Sequence, residues 1–222
     1  MSQTPPSSVA LEARSNDGAR LTSPSAERNK QVIAQRLAEV LPANARVLEI
    51  GSGTGQHALE AVTTRPDLVW QPSDPDPVSR ASQNGWALDA DGRILPSRDL
   101  NLLDANWSSA LGRFDAIVSC NVIHISPWQV CQQIAARASG LLTEDGLIFL
   151  YGPFLEGEQT APSNLAFDQS LKSRDASWGV RALDDVVAEM ASGGFEIVTR
   201  TQMPANNLSL VFKRTGADHA SS

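Results

Sequence analysis

Glu49-Ile50-Gly51-Ser52-Gly53-Thr54-Gly55-Gln56 lies between a short apolar run, Arg46–Ile50, and a stretch that reads as the start of a helix. Glycine at 51, 53 and 55 permits a tight turn and lets the main chain approach a ligand with no Cβ in the way. Where a parallel strand ends and a helix begins, the backbone N–H groups of such a turn face outward, toward whatever binds at the carboxyl edge of the sheet. The dinucleotide fingerprint G-x-G-x-x-G is not met from Gly51, because Gln56 stands at its last position.

Outward from this loop, strands and helices alternate. Ile33, Leu37, Val40 and Leu41 share one stripe of a helix over 26–41, capped by a serine beside Pro24 and stopped by Pro42. Leu68–Gln71 reads as a second strand, Arg93–Pro96 as a third, Asp115–Cys120 as a fourth and Leu147–Tyr151 as a fifth. The fourth has the unbroken apolar character of a buried parallel strand. Ser126-Pro127 reads as cap and first residue of a helix that aligns Cys131, Ile134, Ala135, Ala138 and Leu142. A helix over 183–191 closes at Gly193-Gly194, and Phe195–Thr201 with Leu208–Lys213 form a final hairpin. This order predicts an α/β fold: a doubly wound, mostly parallel sheet with a C-terminal antiparallel hairpin.

Composition narrows the function. The chain has 222 residues, 41% of them hydrophobic, enough for one globular domain. Its 18 basic residues against 25 acidic ones give −7, and no basic block is present, which argues against nucleic acid as a partner. Cys120 and Cys131 make no disulfide framework, and no Cys/His spacing suits a metal. With no apolar run of membrane-spanning length and no secretory pattern at the N-terminus, a cytoplasmic protein without membrane partners is expected. Residues 1–21, rich in Ser and Pro, are expected to be a mobile tail; 22–214 form the domain, and 215–222 a short C-terminal tail.

Glu49 to Gly55 resembles the first motif, E-x-G-x-G-x-G, of class I S-adenosyl-L-methionine-dependent methyltransferases. The resemblance implies a seven-stranded sheet of that type, with Glu49, Gly51, Ser52, Gly53, Thr54 and Gly55 around the cofactor. Asp74, after the second strand, stands where an acid accepts bonds from both ribose hydroxyls. Asp99 and Leu100 would meet adenine through a carboxylate and a backbone N–H, and Asn121 would end the fourth strand facing the methyl sulfonium. The N/D-P-P-Y/F/W motif of amino-directed nucleic-acid methyltransferases is absent, since the text there is Asn121-Val122-Ile123-His124.

A narrower likeness rests on several separated blocks. Ser25–Lys30, Gly51–His57, Trp70–Asp74, His124–Trp128, Tyr151–Phe154, Ser163-Asn164, Phe167-Asp168, Trp178-Gly179 with Arg181, and Met203–Asn207 together resemble the methyltransferase-like 26 family, long catalogued as a domain of unknown function. From this resemblance Asn29 and Arg28 are expected to fold over the cofactor. His124, past the fourth strand, is expected either to act as a general base or to fix its loop by hydrogen bonding. Tyr151 at the same rim either orients the nucleophile or packs at the core edge. The segment 153–181 is too long for a plain connector and reads as a lid or substrate platform, with Phe154, Phe167 and Trp178 for apolar contact and Arg174 and Arg181 for an anion or for structural pairing. The expectation is a methyltransferase acting on a small molecule. A cofactor-binding sensor without transfer activity, a nicotinamide oxidoreductase, and an RNA or protein methyltransferase are the competing readings.

Overall fold

A computed structural model describes residues 13–216. In chain order its elements are β1 (Ser15–Asp17), β2 (Arg20–Thr22), α1 (Pro24–Val40), β3 (Arg46–Ile50), α2 (Gln56–Thr64), β4 (Val69–Asp74), α3 (Pro77–Ala87), β5 (Arg98–Asp99) and β6 (Phe114–Cys120). They continue as α4 (Gln129–Leu141), β7 (Leu142–Pro153), α5 (Pro162–Arg174), α6 (Leu183–Ser192), β8 (Phe195–Met203) and β9 (Asn207–Arg214). Seven strands form the main sheet in the order β5-β4-β3-β6-β7-β9-β8. The first five in that order are parallel, whereas β9 runs antiparallel to both β7 and β8. The order reverses direction between β3 and β6, which puts a crevice beside the carboxyl ends of those two strands.

Side-chain alternation along the central strands builds two cores. Leu48, Ile50, Ile117, Ile148 and Leu150 face α4 and α6, whose Ile134, Ala138, Val186 and Met190 complete that layer. Val47, Ala116, Val118, Leu147 and Phe149 face α1 and α2, where Ile33, Leu37, Ala58 and Val62 meet them. Strands buried on both faces explain why β6 and β7 show no polar alternation. On the α1 side the helix starts as expected: Ser23 caps it and Pro24 opens it.

The structure departs from expectation at three places. Residues 15–22, read as part of a mobile tail, form a β1–β2 hairpin docked on α3. Leu21 N–H donates to Ser82 Oγ at 2.8 Å, Trp86 Nε1 donates to the Leu21 carbonyl at 3.0 Å, and Arg20 pairs with Asp89. Polar bonding, invisible to an apolar-periodicity criterion, anchors this segment; the first twelve residues lie outside the described ones. The third strand is shorter and later than Arg93–Pro96: Ile94 makes a lone bridge to Trp70, and β5 proper is Arg98–Asp99. Helix α4 begins at Gln129, because Ser126 Oγ turns back to the Val122 carbonyl at 2.6 Å instead of capping forward. Helix α6 closes as expected, with Gly193 as its cap at φ −83° and Gly194 left-handed after it at φ +85°.

Gly193 is required for another reason. A Cβ there would lie 2.3 Å from the Ala135 carbonyl oxygen, so the end of α6 rests directly on the backbone of α4. The β8–β9 turn is tighter still in backbone terms. Ala205 and Asn206 are both left-handed, at φ 58° and 59°, and the turn is held by Asn164 Nδ2 donating to the Asn206 carbonyl at 3.0 Å. Strand β8, at the sheet's edge, carries a bulge between Ile197 and Thr199.

Gly193→Ala is expected to lower stability by roughly 1–3 kcal/mol, since overpacking against backbone cannot be relieved by a rotamer change. Chemical denaturation of the variant against the parent chain checks this; equal midpoints would refute the close contact.

Candidate active site

The glycine loop is a chain of left-handed residues: Gly51, Gly53 and Gly55 have φ of +66°, +55° and +91°. A loop so bent makes few bonds to itself, and its polar groups are met by neighbours. Ser52 N–H donates to the Ser73 carbonyl at 2.9 Å, and Gly53 N–H to Asp74 Oδ2 at 3.0 Å. From α3, Ser82 Oγ donates to the Thr54 carbonyl at 2.7 Å and Gln83 Nε2 to the Gly53 carbonyl at 2.9 Å. Thr54 Oγ1 meets Gln56 Oε1 at 3.0 Å, and Gln56 Nε2 reaches Glu27 of α1 at 2.8 Å. Gly55 cannot carry a side chain without meeting Gln83 Cα at 2.9 Å, whereas a Cβ on Gly53 would meet nothing within 4 Å. The loop is packed behind and open in front.

Two carboxylates flank it. Glu49 is 1% exposed and accepts from Trp70 Nε1 at 2.9 Å. Burial raises its carboxyl to about 7, against the opposing hydrogen bonds from Trp70 and Ser52. Asp74, at the end of β4, takes the Gly53 N–H on one oxygen and the Asp76 N–H on the other, each at 3.0 Å. Burial raises it as well, with those two backbone bonds pulling the other way. Asp99 lies beside Asp74 in the β4–β5 register, but its carboxylate is solvent-exposed and pairs with Arg80 at 3.1 Å. Leu100 is buried behind it.

Beyond β6 the chain turns sharply. Asn121 is left-handed, at φ 64°, and its N–H donates to the Tyr151 carbonyl at 2.7 Å. A Cβ on Gly51 would meet Val122 Cγ2 at 2.5 Å, so this turn lies against the glycine loop. His124 is wholly buried, edge-on to Phe154 at 5.1 Å between ring centres. Its Nδ1 accepts from the Arg181 backbone N–H at 3.2 Å, and its Nε2 has no partner. Burial, then the nearby Arg181 guanidinium, press its pKa down to about 3. Tyr151 is 2% exposed; burial pushes its hydroxyl up to about 12, with the Asn29 and Asn207 side chains bonding to it. Asn29 also meets His57 Nε2 at 2.8 Å, and burial holds His57 down at about 4.

The predicted residues thus gather at one sheet edge, with Asp99 at its outer limit. Arg181 does not present itself to an anion. It donates to the carbonyls of Ile123, Ser126 and Ser177 at 2.9, 2.7 and 2.8 Å and lies over the Trp128 ring, fixing the loop that carries His124. A cleft of about 640 Å³ beside it, lined by Trp128, Leu155, Lys172, Asp185 and Glu189, shares no residue with the glycine loop. Sequence reasoning missed Ser82 and Gln83, which lock the loop. Their signal was present as a buried polar stripe, Ser79, Ser82 and Gln83, at helical spacing on α3.

Fold and strand order are those of class I methyltransferases. The chain matches an O-methyltransferase family protein from Burkholderia thailandensis at 17% identity and TM-score 0.74, covering 87% of this chain and 58% of that one. It matches the pyocyanin biosynthetic protein PhzM (13%, TM-score 0.72, 86% and 56%). It also matches CalO1, a methyltransferase of calicheamicin biosynthesis solved with SAH bound (15%, TM-score 0.73, 86% and 54%). The chain therefore spans little more than half the length of these structures. By its sequence it belongs to the family described as a protein of unknown function (DUF938), whose model matches residues 20–214.

Glu49 gives a pH test. The folded chain holds its proton between the unfolded value of 4.5 and about 7, where the unfolded chain has lost it. The stability this contributes is full below 4.5 and is lost as pH rises through 7, about 3 kcal/mol in all. His57 and His124, both depressed, act with the opposite sign below pH 6.5. Glu49→Gln cancels the Glu49 slope alone, so its melting temperature relative to the parent should rise from pH 5 to about pH 7 and level off above it. A constant difference across that range would refute the raised carboxyl.

Proposed function

We propose that this protein is an S-adenosyl-L-methionine-dependent methyltransferase acting on a small molecule. The observation that carries the reading is the loop at the carboxyl end of β3, where Gly53 opens onto empty space and Asp74 closes the loop from β4. The residues fit the cofactor. A glycine turn that is open in front of Gly53 suits its amino-acid end, and a buried carboxylate with lone pairs left over suits ribose hydroxyls. The cofactor would supply an electrophilic methyl group. The chain's own contribution is to bind, align and exclude water, since an in-line displacement gains most from orientation.

In this reading Gly51, Ser52, Gly53, Thr54, Gly55 and Asp74 hold the cofactor, with Glu49 supporting the loop from within, Asn29 above it, and Asp99 and Leu100 toward the adenine. Asn121, His124 and Tyr151 face the acceptor. The sequence blocks that resemble the methyltransferase-like 26 family support the assignment, as does the fold held in common with the O-methyltransferase family protein from Burkholderia thailandensis. An acidic chain, at −7, suits a small molecule better than a nucleic acid.

Calorimetric titration with S-adenosylmethionine and with its demethylated product should show binding of both. Asp74→Ala should weaken both about ten- to a hundredfold, the loss expected for charge-assisted bonds to hydroxyls. No heat from the intact chain would end the cofactor reading; an unchanged affinity in the variant would end only the role of Asp74.

A further inference from the structure

Among the described residues, every titratable side chain near the acceptor rim is already committed. From the turn after β6, His124 spends Nδ1 on the Arg181 N–H, at 3.2 Å, and its backbone carbonyl on the Gly179 N–H, at 2.9 Å. A neutral imidazole whose Nδ1 accepts carries its proton on Nε2, which makes that atom a donor. Acting as a base would require the other tautomer, setting an Nδ1–H against the Arg181 N–H, or an imidazolium in a site with no exposure. From β7, the Tyr151 hydroxyl is held protonated between Asn29 and Asn207. From β6, burial keeps the Cys120 thiol protonated.

The surrounding elements offer no alternative. On β3, Glu49 is 1% exposed and bonded to Trp70 Nε1; on β4, Asp74 takes a backbone N–H on each oxygen and, in the methyl-transfer reading, gives its remaining lone pairs to the ribose. On α1, Glu27 is shared between Gln56 and Lys30, the latter at 2.7 Å, and His57 is bound to Asn29. On α5, Asp168 meets Lys172 and the Val180 N–H at 2.7 and 2.9 Å. What is left unspent is a donor: buried, unpartnered Nε2–H of His124, beside Gly152. A Cβ on Gly152 would stand 2.6 Å from that nitrogen and 3.1 Å from Asn121 Oδ1, so only glycine fits between them.

We infer that the accepting atom reaches this rim already deprotonated, as a carboxylate, a thiolate or the anion of an acidic phenol or enol, and that the chain takes no proton from it. The inference rests on the methyl-transfer reading, and it replaces the expectation of His124 as a general base. A lone pair of the anion forms the bond to the methyl carbon while the carbon–sulfur pair passes to sulfur. One negative and one positive charge cancel, giving a neutral methylated product and a neutral thioether, and no proton moves. An aliphatic hydroxyl with a water-like pKa near 15.7 would present its anion at neutral pH in only about one part in 10⁸–10⁹. Such acceptors need a base, and the described residues at this rim have none to give.

Two measurements test the inference. Long-range ¹H–¹⁵N NMR of the full chain, with the His124 signals assigned by their loss in His124→Gln, should show His124 neutral, protonated on Nε2 and untitrating from about pH 5 to 9. A titration midpoint in that range, or a proton on Nδ1, overturns the inference, and this readout needs no turnover. The second uses methyl-labelled S-adenosylmethionine with a small-molecule cell extract. Label should enter carboxyl, thiol or aryl-oxygen positions at least about a hundredfold over aliphatic hydroxyls, the minimum worth of a missing base. Label on aliphatic hydroxyls or amines overturns it. Cofactor binding with no label transferred counts against the methyl-transfer reading instead, and the two failures are thereby told apart.

Discussion

A backbone loop that alternates left-handed glycines with ordinary residues makes few bonds to itself, and the site depends on how neighbours supply them. The Asp74 carboxylate takes the Gly53 N–H, while Ser82 and Gln83 of α3 donate to the carbonyls of Thr54 and Gly53. These bonds tie β4 and α3 to the end of β3, so the candidate binding face is preformed by the same contacts that hold the sheet's edge together. The β1–β2 hairpin extends the chain of support one layer further, because Ser82 also accepts from the Leu21 N–H. A hydroxyl that both donates and accepts links the N-terminal segment to the loop through a single atom.

On the far side of the crevice the logic is different. There the support is ionic and aromatic: one guanidinium, that of Arg181, satisfies three carbonyls around the turn bearing His124 and lies over Trp128. A charged donor bonded to several carbonyls loses much of its availability for an external anion. Of the two roles open to Arg181 from the sequence, anion contact or structural partner, its bonds are those of the second: it clamps a turn. Desolvation then does the electrostatic work, holding the imidazole neutral and the phenol protonated in the same neighbourhood.

The fold was largely legible from the sequence because apolar continuity and punctuation both point the same way: the Arg46–Ile50 run, the glycines after it, and Pro42 before it. The polar supports were not. Residues 15–22 carry no apolar stripe, since their contacts are hydrogen bonds and an ion pair to α3. Strand β5 is two residues long, too short for any period to register. Asp74 could be placed by its distance along the chain from Glu49, but the state of His124 depends on which atom of Arg181 faces it, some fifty residues away. Spacing reports which residues share an edge; tautomers and committed lone pairs are set by contacts between distant segments.

The two outer strands of the sheet bear on how the protein behaves when crowded. One margin, β5, is only two residues long, and the other, β8, is bulged and carries Glu196 and Arg200. A margin that is short, bent or charged is a poor template for a passing strand from another copy. The parallel centre, rich in uninterrupted Val, Ile and Leu and hazardous if bared, is thus shielded at both ends by strands that cannot recruit. At high concentration the folded chain should therefore resist sheet-to-sheet fusion by the shape of its margins, and not by its net negative charge alone.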